Sequence, residues 1–245
     1  MRHHRAHVEV PLAVGDHVAL GEGASAHLLR ALRLGVGDPC VLFNGDGNDY
    51  DALVTAAGKR GGEARIVAVR PVDNESALRI VLLQGVARGE KMDWILQKAT
   101  ELGVAGFLPV NSQRSEVRLE GERATRRLAH WRGVVSSACA QSGRAVVPTV
   151  APPAPLAEAV AALAGDALKL TLDPGAGSGV AGLQAPAARS VVLAIGPEGG
   201  WSPGDRAVLD GAGFTGLRLG PRILRTETAG VAAISVLQSA FGDLA

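Results

Sequence analysis

The sequence predicts an α/β protein in two parts, a small β-barrel over residues 1–72 and a parallel sheet covered by helices over residues 73–245. Up to Arg70-Pro71 the apolar runs are short, alternating or β-branched, and Gly, Asp and Asn separate them, which is the pattern of strands and tight turns. Beyond Asn74 strand-like runs alternate with apolar residues at helical spacing. A chain of 245 residues, 47% hydrophobic and 20% charged, also has the length and composition to bury a core in each part.

The opening Met1-Arg2-His3-His4-Arg5-Ala6-His7 reads as a solvated basic arm; its three histidines lack a carboxylate or cysteine at coordinating spacing, so no metal is expected. Strands are expected at 8–10, 17–20, 40–43, 52–55 and 64–69. A turn is expected at Asn44-Gly45-Asp46-Gly47-Asn48-Asp49, and one helix at 24–34 with Ser25 as its N-cap. In the second part, 79–84 is an apolar strand, and Met92, Ile95, Ala99 and Leu102 mark a helix. A strand at 107–110 and a long helix at 122–139, basic in its first half, come next. Runs at 167–172, 191–195 and 217–219 read as buried parallel strands, with helices at 203–209 and 226–241.

The net charge of +1, from 25 basic and 24 acidic residues, argues against a globally basic nucleic-acid binder, so any basic surface is local. Arg114, Arg118, Arg123, Arg126, Arg127 and Arg132 form one such cluster, and Arg2, Arg5, Arg30 and Arg33 a second. A solvated helix face laced with Glu116, Glu120 and Glu122 is the competing reading of the first. Cys40 and Cys139 lie in different segments without metal-ligand spacing, and two reduced thiols suit a cytoplasmic protein. No apolar run is long enough to span a membrane, and the N-terminus lacks a signal peptide's apolar stretch.

In open α/β sheets ligands bind beyond the carboxyl ends of strands, so the loops that follow strands draw attention. Ile195-Gly196-Pro197-Glu198-Gly199-Gly200-Trp201-Ser202-Pro203 is one, with Ser202 placed to cap the next helix, Pro203 at its first position and Asp205 near its third. Leu219-Gly220-Pro221-Arg222-Ile223-Leu224-Arg225-Thr226-Glu227-Thr228-Ala229 is the other, with Thr226 as the natural N-cap. Singly, each is equally compatible with a plain turn or a plain helix start.

Together, Gly-Pro-Glu-Gly-Gly followed by Leu-Gly-x-Arg-Ile-Leu-Arg-Thr-Glu-Thr-Ala resembles the signature of the ribosomal RNA small subunit methyltransferase E family, a member of the SPOUT superfamily. The resemblance extends over nearly the whole chain, through Arg88-Gly89-Glu90-Lys91-Met92, Gln97-Lys98, Glu101-Leu102-Gly103, Gln113-Arg114-Ser115 and Gln141-Ser142-Gly143-Arg144. In the first part Met1-Arg2, Arg5, His27, Arg30 and Arg33 match a domain similar to the PUA RNA-binding barrel. Ala140 departs from the pattern, standing where the family usually shows an acid.

The resemblance implies a deep trefoil knot, a homodimer, and methylation by S-adenosylmethionine of uridine N3 in 16S ribosomal RNA near the decoding centre. It implies cofactor contacts at Leu172, Ile195, Gly196, Gly199, Gly200, Leu219, Gly220, Ile223, Leu224 and Thr228, and RNA contacts at Arg2, Arg5, Arg30, Arg33, Arg88, Lys91, Arg114 and Arg144. The chemistry asks for a cation near the uracil oxygens and a proton acceptor. Arg225 is the candidate for the first, with a salt bridge to Glu227 or a phosphate contact as its alternative. Glu198 is the candidate for the second, provided burial raises its pKa; bracing the loop is its alternative.

Leu172-Asp173-Pro174-Gly175-Ala176-Gly177-Ser178-Gly179 spells the D-x-G-x-G-x-G loop of Rossmann-type methyltransferases. A Rossmann unit needs a covering helix directly afterwards, and 180–183 runs at once into Gln184-Ala185-Pro186. A flexible glycine-rich loop is therefore expected. Two other classes remain: a non-catalytic RNA-binding module, and a phosphate-binding enzyme using the Gly199 and Gly200 amides, although no P-loop lysine beside Ser or Thr supports the latter.

Overall fold

The computed structural model describes residues 4–58, 61–163 and 165–244. They divide into two compact units, one of residues up to Glu75 with Val135–Val147, the other of Ser76–Val134 with the residues from Pro148 onward.

The first unit holds β1 (Arg5–His7), β2 (His17–Leu20), α1 (Glu22–Ser25), a π-helical turn (Ala26–Ala31), β3 (Pro39–Phe43), β4 (Asn48–Gly58) and β5 (Gly61–Pro71). The five strands form one sheet in the order β1-β3-β4-β5-β2, antiparallel except for β1 beside β3. Tyr50, Ala52 and Val54 alternate inward along β4 and meet Ala64, Ile66, Leu42, Leu20 and Leu28 in the core. The turn between β3 and β4 is held by Asn44, which accepts from the Asp46 amide, and by Asp46, which accepts from the Asn48 amide.

Two expectations fail here. The first strand is Arg5–His7, and residues 8–10 leave the sheet before Pro11. The helix expected at 24–34 starts at Glu22 and passes into the π turn, where Leu32 N bonds to His27 O. Ser25 is inside it, its hydroxyl donating to Leu20 O at 2.8 Å instead of capping.

Burial also corrects two expected RNA contacts. Arg5 is 8% exposed; its guanidinium donates to Asp49 at 2.6 Å, to Cys139 O and to Arg144 O, and stacks over Phe43. Arg144 is 4% exposed and doubly bonded to Glu75. Both guanidiniums are consumed in tying residues 135–147 into the first unit, and neither faces a phosphate. Arg2 lies outside the described residues. Cys40 and Cys139 are free and buried here, and burial pushes both thiols up to about 11, which leaves them unreactive.

The second unit contains β6 (Arg79–Gly85), α2 (Glu90–Glu101), β7 (Val104–Asn111), the start of α3 (Gly121–Ser142), β8 (Thr149–Val150), β9 (Ala154–Pro155) and α4 (Leu156–Ala161). It continues with β10 (Leu168–Leu172), β11 (Ser190–Ile195), α5 (Pro203–Gly211), β12 (Thr215–Leu217) and α6 (Thr226–Phe241). Six strands lie parallel in the order β12-β10-β11-β6-β7-β8, with β9 beside β7. Val81, Leu83, Val192 and Ala194 pack with Trp201, Phe214 and helices α4 and α5 on one face. Helices α2 and α6 pack together on the other, where Ile80, Leu82 and Gln84 point.

This is the expected α/β sheet with helices on both faces. Its last strand comes two residues before the expected 217–219, with Thr171 opposite Gly216. A side chain at Gly216 would meet Ala176 Cβ at 3.0 Å, so a larger residue there would press on the loop that follows β10. After an isolated bridge between Arg218 and Gly179, the shift leaves 219–225 as a loop. β8, β9 and α4 carry no periodic signal and are additions to the expected set.

Candidate active site

β10, β11 and β12 are parallel neighbours, so the loops that leave their carboxyl ends open at the same edge of the sheet. A cavity of about 570 Å³ lies among them. Leu172, Ile195, Gly196, Gly199, Gly200, Leu219, Gly220, Ile223 and Leu224 line it, as do Arg225 and Glu198. Thr228 is not among the lining residues: it is exposed in the first turn of α6, where Thr226, Glu227 and Ala229 line the cavity.

The loop after β11 is folded tightly on itself. Gly200 N donates to Pro197 O, and Gly200 takes φ +64°, a conformation that favours glycine. A Cβ on Gly196 would stand 3.1 Å from the Gly200 backbone and Trp201 N, and one on Gly85 would run into Pro197 at 2.5 Å. The loop then enters α5 through a full capping box, in which Ser202 Oγ accepts from Asp205 N and Asp205 accepts from Ser202 N, each at 3.0 Å. Residues after β7 brace it: Ser202 Oγ donates to Gln113, and Arg114 donates to Gly199 O at 3.1 Å. Trp201 is buried, its indole donating to Thr171.

The loop after β12 joins this one through Thr226. Arg225, not Thr226, is the N-cap of α6. Thr226 Oγ1 donates to Gly196 O at 2.6 Å and accepts from the buried Gln84. A cap would have satisfied one local amide; this arrangement ties β6 and both loops together instead.

Glu198 departs from its expected role. Burial would raise its carboxyl, but hydrogen bonds from Lys91 Nζ at 2.9 Å and from the Arg88 amide at 3.1 Å outweigh that and hold it below the usual carboxylate range. The condition for a raised proton acceptor is therefore unmet, and Glu198 is an ionised partner of Lys91. Its second oxygen, and one oxygen of Glu227, are buried without a hydrogen-bond partner. Arg225 makes no ion pair with Glu227 among the described residues.

Lys91 and Arg114, expected at RNA, line this same cavity. Each follows a strand of the sheet, β6 and β7, so the rule that pointed to the two glycine loops could have placed them here too. Trp201, Asp173 and Arg206 also line it; Arg206 donates to Asp173 at 3.0 Å. Asp173 opens the glycine-rich loop 173–179, and among the described residues the 3-10 turn Val180–Gly182 is all the helix between it and β11. A Rossmann unit is thereby excluded. Arg30, Arg33 and Arg88 are exposed, the last paired with Glu116 at 3.4 Å.

Residues 74–238 match an RNA methyltransferase domain profile and 14–67 an RNA methyltransferase PUA domain profile. The chain is 33% identical to ribosomal RNA small subunit methyltransferase E of Mycobacterium bovis, across 88% of this chain and 83% of that one. With the enzyme of the same name from Neisseria gonorrhoeae, crystallised with S-adenosyl methionine, it shares 38% identity and a TM-score of 0.90, covering 99% of this chain and 100% of that one. A putative methyltransferase from Legionella pneumophila, in complex with the same cofactor, is 36% identical with a TM-score of 0.94, and each chain is covered completely. The first unit is thus PUA-like, the second an RNA methyltransferase domain, and the chain belongs to the ribosomal RNA small subunit methyltransferase E family.

Proposed function

We propose that this chain transfers a methyl group from S-adenosylmethionine to N3 of a uridine in 16S ribosomal RNA. The observation that carries the reading is the cavity between the two glycine loops, in a chain similar to two solved proteins that hold that cofactor. The residues present fit the group. About 570 Å³ is within the range of small-ligand sites, and Leu172, Ile195, Leu219 and Leu224 offer apolar cover for an adenine ring. Gly196, Gly199 and Gly200 leave backbone amides and carbonyls open to its edge, and Glu198 suits its positive charges. When bound, the cofactor supplies an electrophilic methyl group on a sulfonium.

The chain's own residues do the rest. Arg225, exposed at the cavity mouth, stabilises negative charge on the uracil oxygens as N3 loses its proton. Lys91, held by Glu198, adds a second cation at the same opening. Ile223 is 87% exposed beside them and offers an apolar surface to a base turned out of its stack.

The reading extends to a SPOUT-type trefoil knot, for which the insertion of β11 between β10 and β6 and the bonding of Thr226 to Gly196 are the supports. It also includes a homodimer acting in the cytoplasm on the small ribosomal subunit, with Arg30, Arg33 and Arg88 at its RNA. No helix among the described residues is long and apolar enough to cross a membrane. Incubation of the protein with methyl-labelled cofactor and small subunits lacking the mark tests it. Nucleoside mass spectrometry should find labelled 3-methyluridine in 16S RNA; label on another base or position would overturn the assignment.

A further inference from the structure

We propose that Glu227 takes the N3 proton of the target uridine; the inference rests on the uridine-N3 reading above. Glu198 and Glu227 line one cavity but are differently committed. Glu198 already accepts from Lys91 and from the Arg88 amide, and a carboxylate that holds two donors gives part of its basicity to them. No hydrogen bond or ion pair reaches the Glu227 carboxylate among the described residues, and its Oε2 is buried. A buried carboxylate oxygen without a donor is costly unless a ligand brings one. Uracil N3–H is such a donor, and it must lose its proton before N3 has a pair to react with.

Arg225 and Glu227 both line the cavity, at the start of α6. The pair therefore supplies a cation for the uracil oxygens and an acceptor for the proton. In the step, the N3–H bond breaks and the proton passes to a Glu227 oxygen, while the electron pair stays on N3. That pair forms the new N–C bond as the methyl–sulfur bond breaks and its electrons return to sulfur. The Glu227 proton then leaves to solvent.

The test compares wild type with Glu227→Gln and Glu227→Asp in single-turnover methylation of a 16S RNA fragment, with calorimetric binding of S-adenosylmethionine measured alongside. The Gln variant should bind the cofactor within about twofold of wild type, while its rate falls by about 10²-fold or more. The Asp variant should recover part of the rate. Placing 5-fluorouridine at the target acidifies N3 and should raise the Gln variant's rate at least about tenfold while changing wild type little. A Gln variant at wild-type rate, a loss of rate that 5-fluorouridine does not relieve, or a loss of cofactor binding would each overturn the role of Glu227. Absence of 3-methyluridine with the wild-type protein would overturn the underlying reading itself, and this proposal with it.

Discussion

Gly196 shows how a single missing side chain shapes the cavity. An added Cβ would press at 3.1 Å on the Gly200 backbone, in a loop that the Gly200 turn and the Ser202 cap already fix. Gly196→Ala should therefore keep the fold and weaken S-adenosylmethionine about tenfold, read by calorimetry; unchanged affinity would show that this loop does not approach the ligand. Glu198 sets a pH prediction. Its pKa lies below the unfolded value of about 4.3, so its pairing with Lys91 stabilises the fold above that pH and is lost as pH falls through the lower folded value. The melting-temperature difference between wild type and Glu198→Gln should stay constant from about pH 5 to 8 and shrink only in more acidic buffer. A difference that changed near neutrality would mean that the carboxyl titrates there after all.

At the scale of elements, the two loops are set by what anchors their ends. Ser202 closes a capping box and also bonds Gln113, so Ser202→Ala removes a cap and one brace between β7 and the cofactor loop. Thermal or urea unfolding should register a loss of about 1–2 kcal/mol. The Ser202-Pro203-Asp205 spacing made this helix start legible in the sequence, because local residues alone satisfy its amides. The start of α6 was not legible in the same way. Thr226 is a good cap by type, but its hydroxyl bonds Gly196 O, 30 residues away, and no local pattern carries that. Likewise the strand–helix alternation foretold β6, β7, β10 and β11, each of which is at least five residues long. β8 and β9 are two residues each and have no period to show.

For the whole molecule, the sequence places a single boundary near residue 72, whereas residues 135–147 return to the first unit. That return depends on Arg5 and Arg144, whose sequence context reads as basic surface and whose burial appears only with the contacts of Asp49 and Glu75. Arg5→Ala should cost about 3–5 kcal/mol, since it leaves Asp49 buried with only the half-exposed Arg70 as a partner. A change below about 1 kcal/mol would show Arg5 free to serve elsewhere. The two glycine loops at the cavity were legible because strand ends and glycines are sequence features, while the individual contact residues came from the family resemblance. Lys91 and Arg114 were attached to RNA through the family resemblance, although each follows a strand, β6 and β7, whose carboxyl end opens at that edge.

The most direct test of the cofactor site is calorimetric titration of S-adenosylmethionine into wild-type protein and a Gly220→Arg variant. Gly220 lines the cavity at φ +70°, so an arginine there strains the loop and fills the space without touching the sheet. We predict clear binding to wild type and none to the variant, with both giving the same far-ultraviolet circular dichroism. Equal binding by a folded variant would contradict the assignment and move the ligand away from these two loops.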